Sequence, residues 1–383
     1  MAGHTETVEP LPRRVRLEIS LAALRENFAK IAAAVSPCQV IAVLKANAYG
    51  LGVKEPARAL AEVGAARLGV AELNEAVELT DLGLPVHILG GVLPDEIPHA
   101  VEAGIILPIT DFETARDIAA EAGRQKRKAA CHFLIDTGMG RLGILAGEAE
   151  DAVCRCLELP NLDCEGIYSH FPFAYRGGSG MTNRQIDLFL DLLLRLEARG
   201  VRFRLRHIAN SDAVNNFPRA YQAPFNAVRT GINLHGSFDT EGRRALDLTS
   251  ILTLKTRLTA VRRLPKGMTI GYGCTCTLSE DTLVGTISAG YADGLPLALS
   301  NRGHVLIHGR PCPILGRVSM DYTTVSLDRV PDARCGDEVV CLGGTGPSAV
   351  SVEDWARIKG THPYDIICSF GSRVERRYID KKP

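Results

Sequence analysis

The 383-residue sequence has no excess of charge in either direction, with 44 Lys and Arg against 44 Asp and Glu. Such a balance creates no long-range field toward nucleic acid or an anionic membrane, so any anion specificity must be local and a small-molecule ligand is the expected partner. No apolar run approaches the roughly 20 residues that span a bilayer. Met1 to Arg14 has no apolar stretch of the kind that opens a secreted protein, which makes the cytoplasm the expected compartment. The eleven cysteines are odd in number and scattered. Their two C-x-C pairs, Cys154/Cys156 and Cys274/Cys276, are spaced too closely for ordinary zinc ligands, so no metal is expected. Also missing is a G-x-G-x-x-G turn after the first apolar run, which weighs against an open, doubly wound dinucleotide-binding sheet. What remains is an ordinary globular composition, 46% hydrophobic and 23% charged, in a chain long enough for about two to three domains.

Eight short apolar runs alternate with amphipathic stretches over the first two-thirds of the chain: Gln39–Leu44, Arg67–Ala71, Val86–Leu89, Ile105–Ile109, Cys131–Asp136, Gly166–His170, Leu205–Ala209 and Val228–Leu234. Helix patterns lie between them, several closed by glycine at Gly64, Gly83, Gly123 and Gly200. Eight β-α units predict a (β/α)8 barrel over residues 20–243. From 244 to 383 the pattern becomes mostly β, with strands expected at Thr249–Val261, Leu283–Ser288, Val305–Ile307, Thr323–Leu327, Glu338–Leu342 and Asp365–Ser369. A strand over 13–19 lies outside the barrel units and is expected to join this second domain.

Barrel enzymes carry their chemistry at the C-terminal ends of the strands. Here those ends are polar. The first run delivers Lys45, the fifth Asp136 followed by Gly-Met-Gly-Arg141, the sixth His170, the seventh Asn210 and Ser211, and the eighth Arg229, Gly231 and Ile232. Lys45 follows a buried run, so it either snorkels outward or is held neutral, and a neutral amine forms Schiff bases with aldehydes. Phosphate sites recur after the seventh and eighth strands, where Ser211 and Gly231 fall. Taken alone, Ser211 reads equally as a helix cap, His170 as a core histidine and Arg229 as a structural partner of Asp136.

The segments Ala42-Val43-Leu44-Lys45-Ala46-Asn47-Ala48-Tyr49-Gly50 and Asp136-Thr137-Gly138-Met139-Gly140-Arg141 resemble motifs of the alanine racemase family, the fold-type III pyridoxal-phosphate enzymes. So do His207–Ser211, Val228–Ile232, Gly290–Gly294 and Gly316–Asp321. The resemblance implies pyridoxal phosphate joined covalently to Lys45, with its phosphate held by Tyr49, Ser211 and the backbone at Gly231 and Ile232, and Asn210 beside them. It further implies that Arg229, braced by His170, faces the ring nitrogen. Lys45 and Tyr272 are then the two proton-transfer groups, with Tyr272 supplied by the partner subunit of a homodimer. Arg141 and Met320 would meet the substrate carboxylate. The implied function is racemisation of L- and D-alanine, supplying D-alanine for peptidoglycan.

Leu134 stands where many members of the family have a lysine that becomes carbamylated. His235, Tyr322 and Ser372 also depart from the usual pattern, and Tyr175 and Leu297 occupy positions often charged at the substrate entrance. These changes keep open a broad-specificity racemase acting on serine, lysine or arginine. A non-catalytic pyridoxal-phosphate carrier is the further alternative, although carriers resemble the barrel half alone. A barrel phosphosugar enzyme, in which Lys45 would react with the substrate itself, is distinguished by being colourless as isolated.

Overall fold

The computed structural model describes residues 13–381. Eight parallel strands form the barrel: Gln39–Val43, Arg67–Val70, Val86–Ile88, Leu107–Ile109, Ala129–Asp136, Leu162–Tyr168, Leu205–His207 and Ala227–Thr230. Their apolar runs suit burial on both faces, as a helix-covered parallel sheet requires. The last strand pairs with the first through Arg229↔Ile41, and the first with the second through Ile41↔Arg67. A parallel bridge His87↔Ile106 joins the two halves on one side. On the other, the Asn226 N–H donates to the Arg206 carbonyl at 3.1 Å and the Arg229 N–H to the Ala209 carbonyl at 3.0 Å, closing the ring. The helices pack outside. Helix Leu21–Val35 buries Leu24, Phe28, Ile31 and Val35 along one face, and the Ser20 hydroxyl caps its start by accepting from the Ala23 N–H at 3.1 Å. Such a cap contributes about 1 kcal/mol.

The chain beyond the barrel is mostly β. Its long central strand, Leu252–Leu264, pairs antiparallel with Thr282–Ile287 and with Glu338–Leu342. The N-terminal strand Arg16–Ser20 lies between Leu252–Leu264 and the final strand Glu375–Ile379, antiparallel to the first and parallel to the second. The chain end therefore reaches back to its beginning. One expected strand is corrected: Asp365–Ser369 falls largely in a short helix, Pro363–Ile367. Pro363 fits the first turn, where its missing N–H costs nothing, and Ile366 and Ile367 are both fully buried, which imitates a strand run. The strand Arg310–Leu315 escapes the sequence pattern because it carries Pro311 and Pro313. Among the described residues no helix is long and apolar enough to cross a membrane.

Candidate active site

A cavity of about 330 Å³ opens at the C-terminal mouth of the barrel. Nine of the residues singled out from the sequence line it: Lys45, Tyr49, Leu134, Arg141, His170, Asn210, Ser211, Arg229 and Gly231. Ile232 is buried just behind the wall, at the start of the short turn Ile232–His235. Tyr272 and Met320 do not line this cavity. Tyr272 is 74% exposed and sits in a separate surface cleft with Arg317 and Tyr322, and Met320 is 52% exposed. The cavity also takes in Tyr168 and Tyr364, which the sequence did not mark.

Lys45 is the residue at which the first barrel strand gives way to an unusual turn. Ala46, Asn47, Ala48 and Tyr49 all adopt left-handed backbone angles, with φ between 52° and 58°. For residues bearing a Cβ this costs about 1–2 kcal/mol each, so the turn must be imposed from outside. The Glu75 carboxylate accepts from the N–H groups of Asn47 at 3.0 Å and Ala71 at 2.9 Å. Arg376, on the final strand, donates to the Gly50 carbonyl from Nη2 at 3.0 Å while its other N–H groups bind the carbonyls of Phe370, Gly371 and Val374. The Tyr378 hydroxyl donates to the Leu51 carbonyl at 2.9 Å. These grips fix the base of Lys45 and send Tyr49 inward, where it is 4% exposed. The Lys45 amine faces the cavity, and desolvation by the surrounding walls together with the Arg141 charge lowers its pKa from the usual lysine value.

Two further strand ends make a cradle beside it. The Asn210 side chain, not Ser211, caps the following helix by accepting from the Ala213 N–H at 3.0 Å. That leaves the Ser211 hydroxyl turned to the Gly231 N–H, from which it accepts at 3.0 Å. At Gly231 an added Cβ would come within 2.1 Å of the Tyr49 hydroxyl oxygen, so the absence of a side chain is what lets three polar groups converge. Asp136 does not pair with Arg229. It folds the next loop, accepting from the N–H groups of Gly138, Met139 and Gly140 at 2.7–2.8 Å. Among the described residues no hydrogen bond or ion pair engages the Arg141 guanidinium.

Arg229 is 5% exposed, and burial pulls its pKa down to about 10, still protonated at neutral pH. Its N–H groups reach the Ser169 carbonyl at 2.6 Å, the Ile208 carbonyl at 3.2 Å, His170 Nδ1 at 3.4 Å and His207 Nδ1. The guanidinium lies 5.2 Å from the centre of the Tyr168 ring. Burial first and Arg229 second hold His170 neutral, with its pKa pulled down to about 3. Burial likewise draws His235 to about 4 and lowers His87, His132 and His207.

Those histidines make stability depend on pH with a definite sign. Unfolded imidazoles protonate near pH 6.5, whereas the native ones refuse the proton until lower pH, so below about 6.5 the unfolded chain binds more protons and stability falls as pH falls. Each such histidine contributes up to about 1.4 kcal/mol per pH unit in that window. The guanidinium midpoint of unfolding is expected to drop steeply between pH 7 and pH 5. The raised carboxyl of Asp212, pushed up to about 7 by burial, works in the opposite sense, so a flat profile would mean that the histidines do not dominate.

Comparison with known proteins adds the lineage. Residues 19–238 match the family model described as alanine racemase, N-terminal domain, and residues 251–378 the model for the alanine racemase C-terminal domain. An alanine racemase of Desulforamulus reducens is 41% identical over 371 residues, spanning 94% of this chain and 98% of that protein. Among solved structures, an alanine racemase of Clostridium difficile superposes with a TM-score of 0.90 at 29% identity, covering 98% of each chain. One from Bartonella henselae, described as having covalently bound pyridoxal phosphate, gives a TM-score of 0.85 at 27% identity, covering 96% of this chain and all of that one. A lysine at the mouth of a closed barrel, a cradle of hydroxyl and backbone donors beside it, and these matches along both parts of the sequence lead to one conclusion: the chain belongs to the alanine racemase family.

Proposed function

We propose that this protein interconverts L- and D-alanine using pyridoxal phosphate held at Lys45, as a cytoplasmic homodimer supplying D-alanine for peptidoglycan. The observation that carries the reading is the convergence of the Lys45 amine, the Arg229 guanidinium and the Tyr49–Ser211–Gly231 cradle on one cavity. The reading divides the chain into a cofactor-binding barrel, 20–243, and a β-rich domain, 244–383, which the 13–19 strand joins.

The residues present fit the cofactor. The cavity volume is within the range for small ligands, the cradle offers a serine hydroxyl, a tyrosine hydroxyl and backbone N–H groups, and the Cβ-less Gly231 leaves room for close approach. Pyridoxal phosphate, when bound, supplies a conjugated ring that accepts the electron pair left behind by a departing α-proton. Tyr49, Ser211 and the backbone at Gly231 and Ile232 would hold its phosphate. Arg229, fixed by His170 and His207, would face the ring nitrogen as a cation. Lys45 takes or returns a proton on one face, and Tyr272 of a second copy serves the other. Tyr272, Leu297 and Met320 are all exposed in a single chain, which suits an apolar surface covered by a partner. Arg141, unengaged among the described residues, is free to bind the substrate carboxylate bidentately, with the Met320 backbone of the second copy completing that contact.

Gly231→Ala tests the cradle. The methyl group collides with the Tyr49 hydroxyl, and overpacking of this kind costs about 1–3 kcal/mol, so affinity for pyridoxal phosphate is expected to fall about tenfold or more in an equilibrium absorbance titration. Unaltered affinity would place the phosphate elsewhere.

The decisive experiment follows the circular dichroism of L-alanine incubated with protein and pyridoxal phosphate, expected to decay to zero from either enantiomer. A constant signal removes alanine. Leu134, which is apolar and 6% exposed in the cavity wall, gives specific support to a second reading, a broad-specificity racemase. Serine, lysine and arginine are the substrates that test it.

A further inference from the structure

The barrel interior contains a file of polar side chains of which only His207 enters the reading given above. Barrels of this kind fill their interior with stacked apolar layers, and burying polar groups is unfavourable unless each is hydrogen-bonded. Here His87, His132, Glu165 and His207 are all buried. His132 Nδ1 meets His207 Nε2 at 3.0 Å, and His132 Nε2 meets a Glu165 carboxylate oxygen at 3.3 Å. At the floor of the barrel the same carboxylate accepts from Arg67, whose Nη2 lies 3.2 Å from it, and from Arg204 at 3.3 Å. At the mouth His207 Nδ1 meets Arg229.

The chemistry of the two ends fixes every proton between them. A guanidinium only donates, so His207 Nδ1 must be the bare, accepting nitrogen and Nε2 must carry the hydrogen. His207 then donates to His132 Nδ1, which must also be bare, and His132 donates from Nε2 to Glu165. The carboxylate only accepts, and its pKa is held below the usual range by the hydrogen bond from His132, with Arg67 adding to the effect. Both imidazoles are therefore neutral and of the same tautomer. His87, His132 and Glu165 also form a group of metal-ligand types with ligand atoms within 4.8 Å of one another. The Arg67 guanidinium already lies between them, 3.3 Å from His87 Nε2 and paired with Glu165, so an internal cation takes the place of a metal ion.

The backbone has made room for this file. Gly166 is paired opposite His132, and a Cβ added there would come within 2.3–2.5 Å of three atoms of the imidazole ring. The glycine is not in a left-handed conformation, so its requirement is one of space. Tyr168, two residues further on, stacks on His207 with ring centres 5.0 Å apart and planes 11° from parallel, which fixes the ring from its face.

We infer that His132 and Glu165 are positioning residues, acting through His207 to aim Arg229 at the cofactor ring nitrogen from the far end of the barrel. The inference rests on the reading of Arg229 given above. Its groups face charged or titratable neighbours on every side: Arg67, His87, Arg204, Tyr168, His170 and Arg229 itself.

The test uses the holoenzyme with selectively 15N-labelled histidine. Nitrogen shifts of His207 and His132 are expected to show hydrogen on Nε2 and none on Nδ1, in the protein with or without pyridoxal phosphate. Gly166→Ala, which removes no polar group, and His132→Phe are both expected to disturb the His207 shifts, move the visible absorbance of the bound cofactor and lower kcat at least tenfold, with KM for alanine within about twofold. His132→Asn, which keeps an acceptor toward His207, is expected to recover most of that loss. A purely structural role would lower the melting temperature without moving the absorbance band or separating kcat from KM. A proton on Nδ1 of His207, or an unchanged band and kcat in a folded Gly166→Ala or His132→Phe protein, overturns the inference. Should the wild type show the tautomers yet bind no pyridoxal phosphate, the functional reading fails, and the role assigned to the file fails with it. If neither variant folds, the wild-type nitrogen shifts still decide.

Discussion

Lys45→Ala is expected to lower alanine racemisation at least about 10³-fold and to leave no pyridoxyl mark on the chain after borohydride reduction. The size follows from the two tasks joined in one side chain. A positioned proton-transfer group contributes about 10²–10⁴-fold, and the covalent tether that orients the cofactor is lost in the same change. The local structure explains why this lysine and not another does so. Its amine opens into the cavity, where desolvation by the surrounding walls and the Arg141 charge both favour the neutral, nucleophilic form. Lys54, by contrast, is paired on the surface with Asp81 at 2.9 Å, and Lys54→Ala is expected to keep both activity and label. Mass analysis of the reduced, digested wild type should find the adduct on the peptide containing Lys45. An adduct on a different lysine, or full turnover by Lys45→Ala, would falsify the assignment.

Tyr272→Phe is expected to cost about 10²–10⁴-fold in turnover while leaving both cofactor content and stability nearly unchanged. The substitution removes one hydroxyl from a side chain that is 74% exposed in the single chain, so the folded chain loses little of its own. The informative readout is exchange in deuterium oxide. With Lys45 intact on one face, one alanine enantiomer should still exchange its α-hydrogen with solvent but without inversion, and the other should exchange far more slowly. Equal exchange of both enantiomers at the wild-type rate would remove Tyr272 from the reaction. Mixing Tyr272→Phe with Lys45→Ala chains adds a test of shared sites. If each site draws its tyrosine from the partner, mixed dimers contain one site with both groups intact, and activity should reappear.

The barrel was readable because its strands are short apolar runs with glycine-closed helices between them, a pattern that depends on local residue choice alone. Polar residues at the strand ends were readable for a related reason: Lys45, His170 and Arg229 interrupt or terminate runs that are otherwise buried. The turn after Lys45 was not. Asn47 alone in Ala46-Asn47-Ala48-Tyr49 tolerates left-handed angles readily, and a run of four comes from Glu75, Arg376 and Tyr378, the last two more than 300 residues away. Tyr168 and Tyr364 were missed because an aromatic in an apolar context reads as core. The partnership of His132 with Gly166 was equally hidden, since a glycine in a strand carries no sign of which ring needs its space. Ile366 and Ile367 misled the pattern at Asp365–Ser369 because two adjacent buried isoleucines fit a strand and a helix turn alike.

The grip of Arg376 and Tyr378 on the lysine turn has a bearing on the order of events during synthesis. Every barrel strand leaves the ribosome well before residue 376, so the barrel can close while the lysine segment is still free to relax from its strained geometry. Only when the last strand arrives beside Arg16–Ser20 does that segment receive the contacts that hold it. The scaffold of the barrel thus does not depend on the final strand, whereas the strained turn that sets the base of Lys45 does.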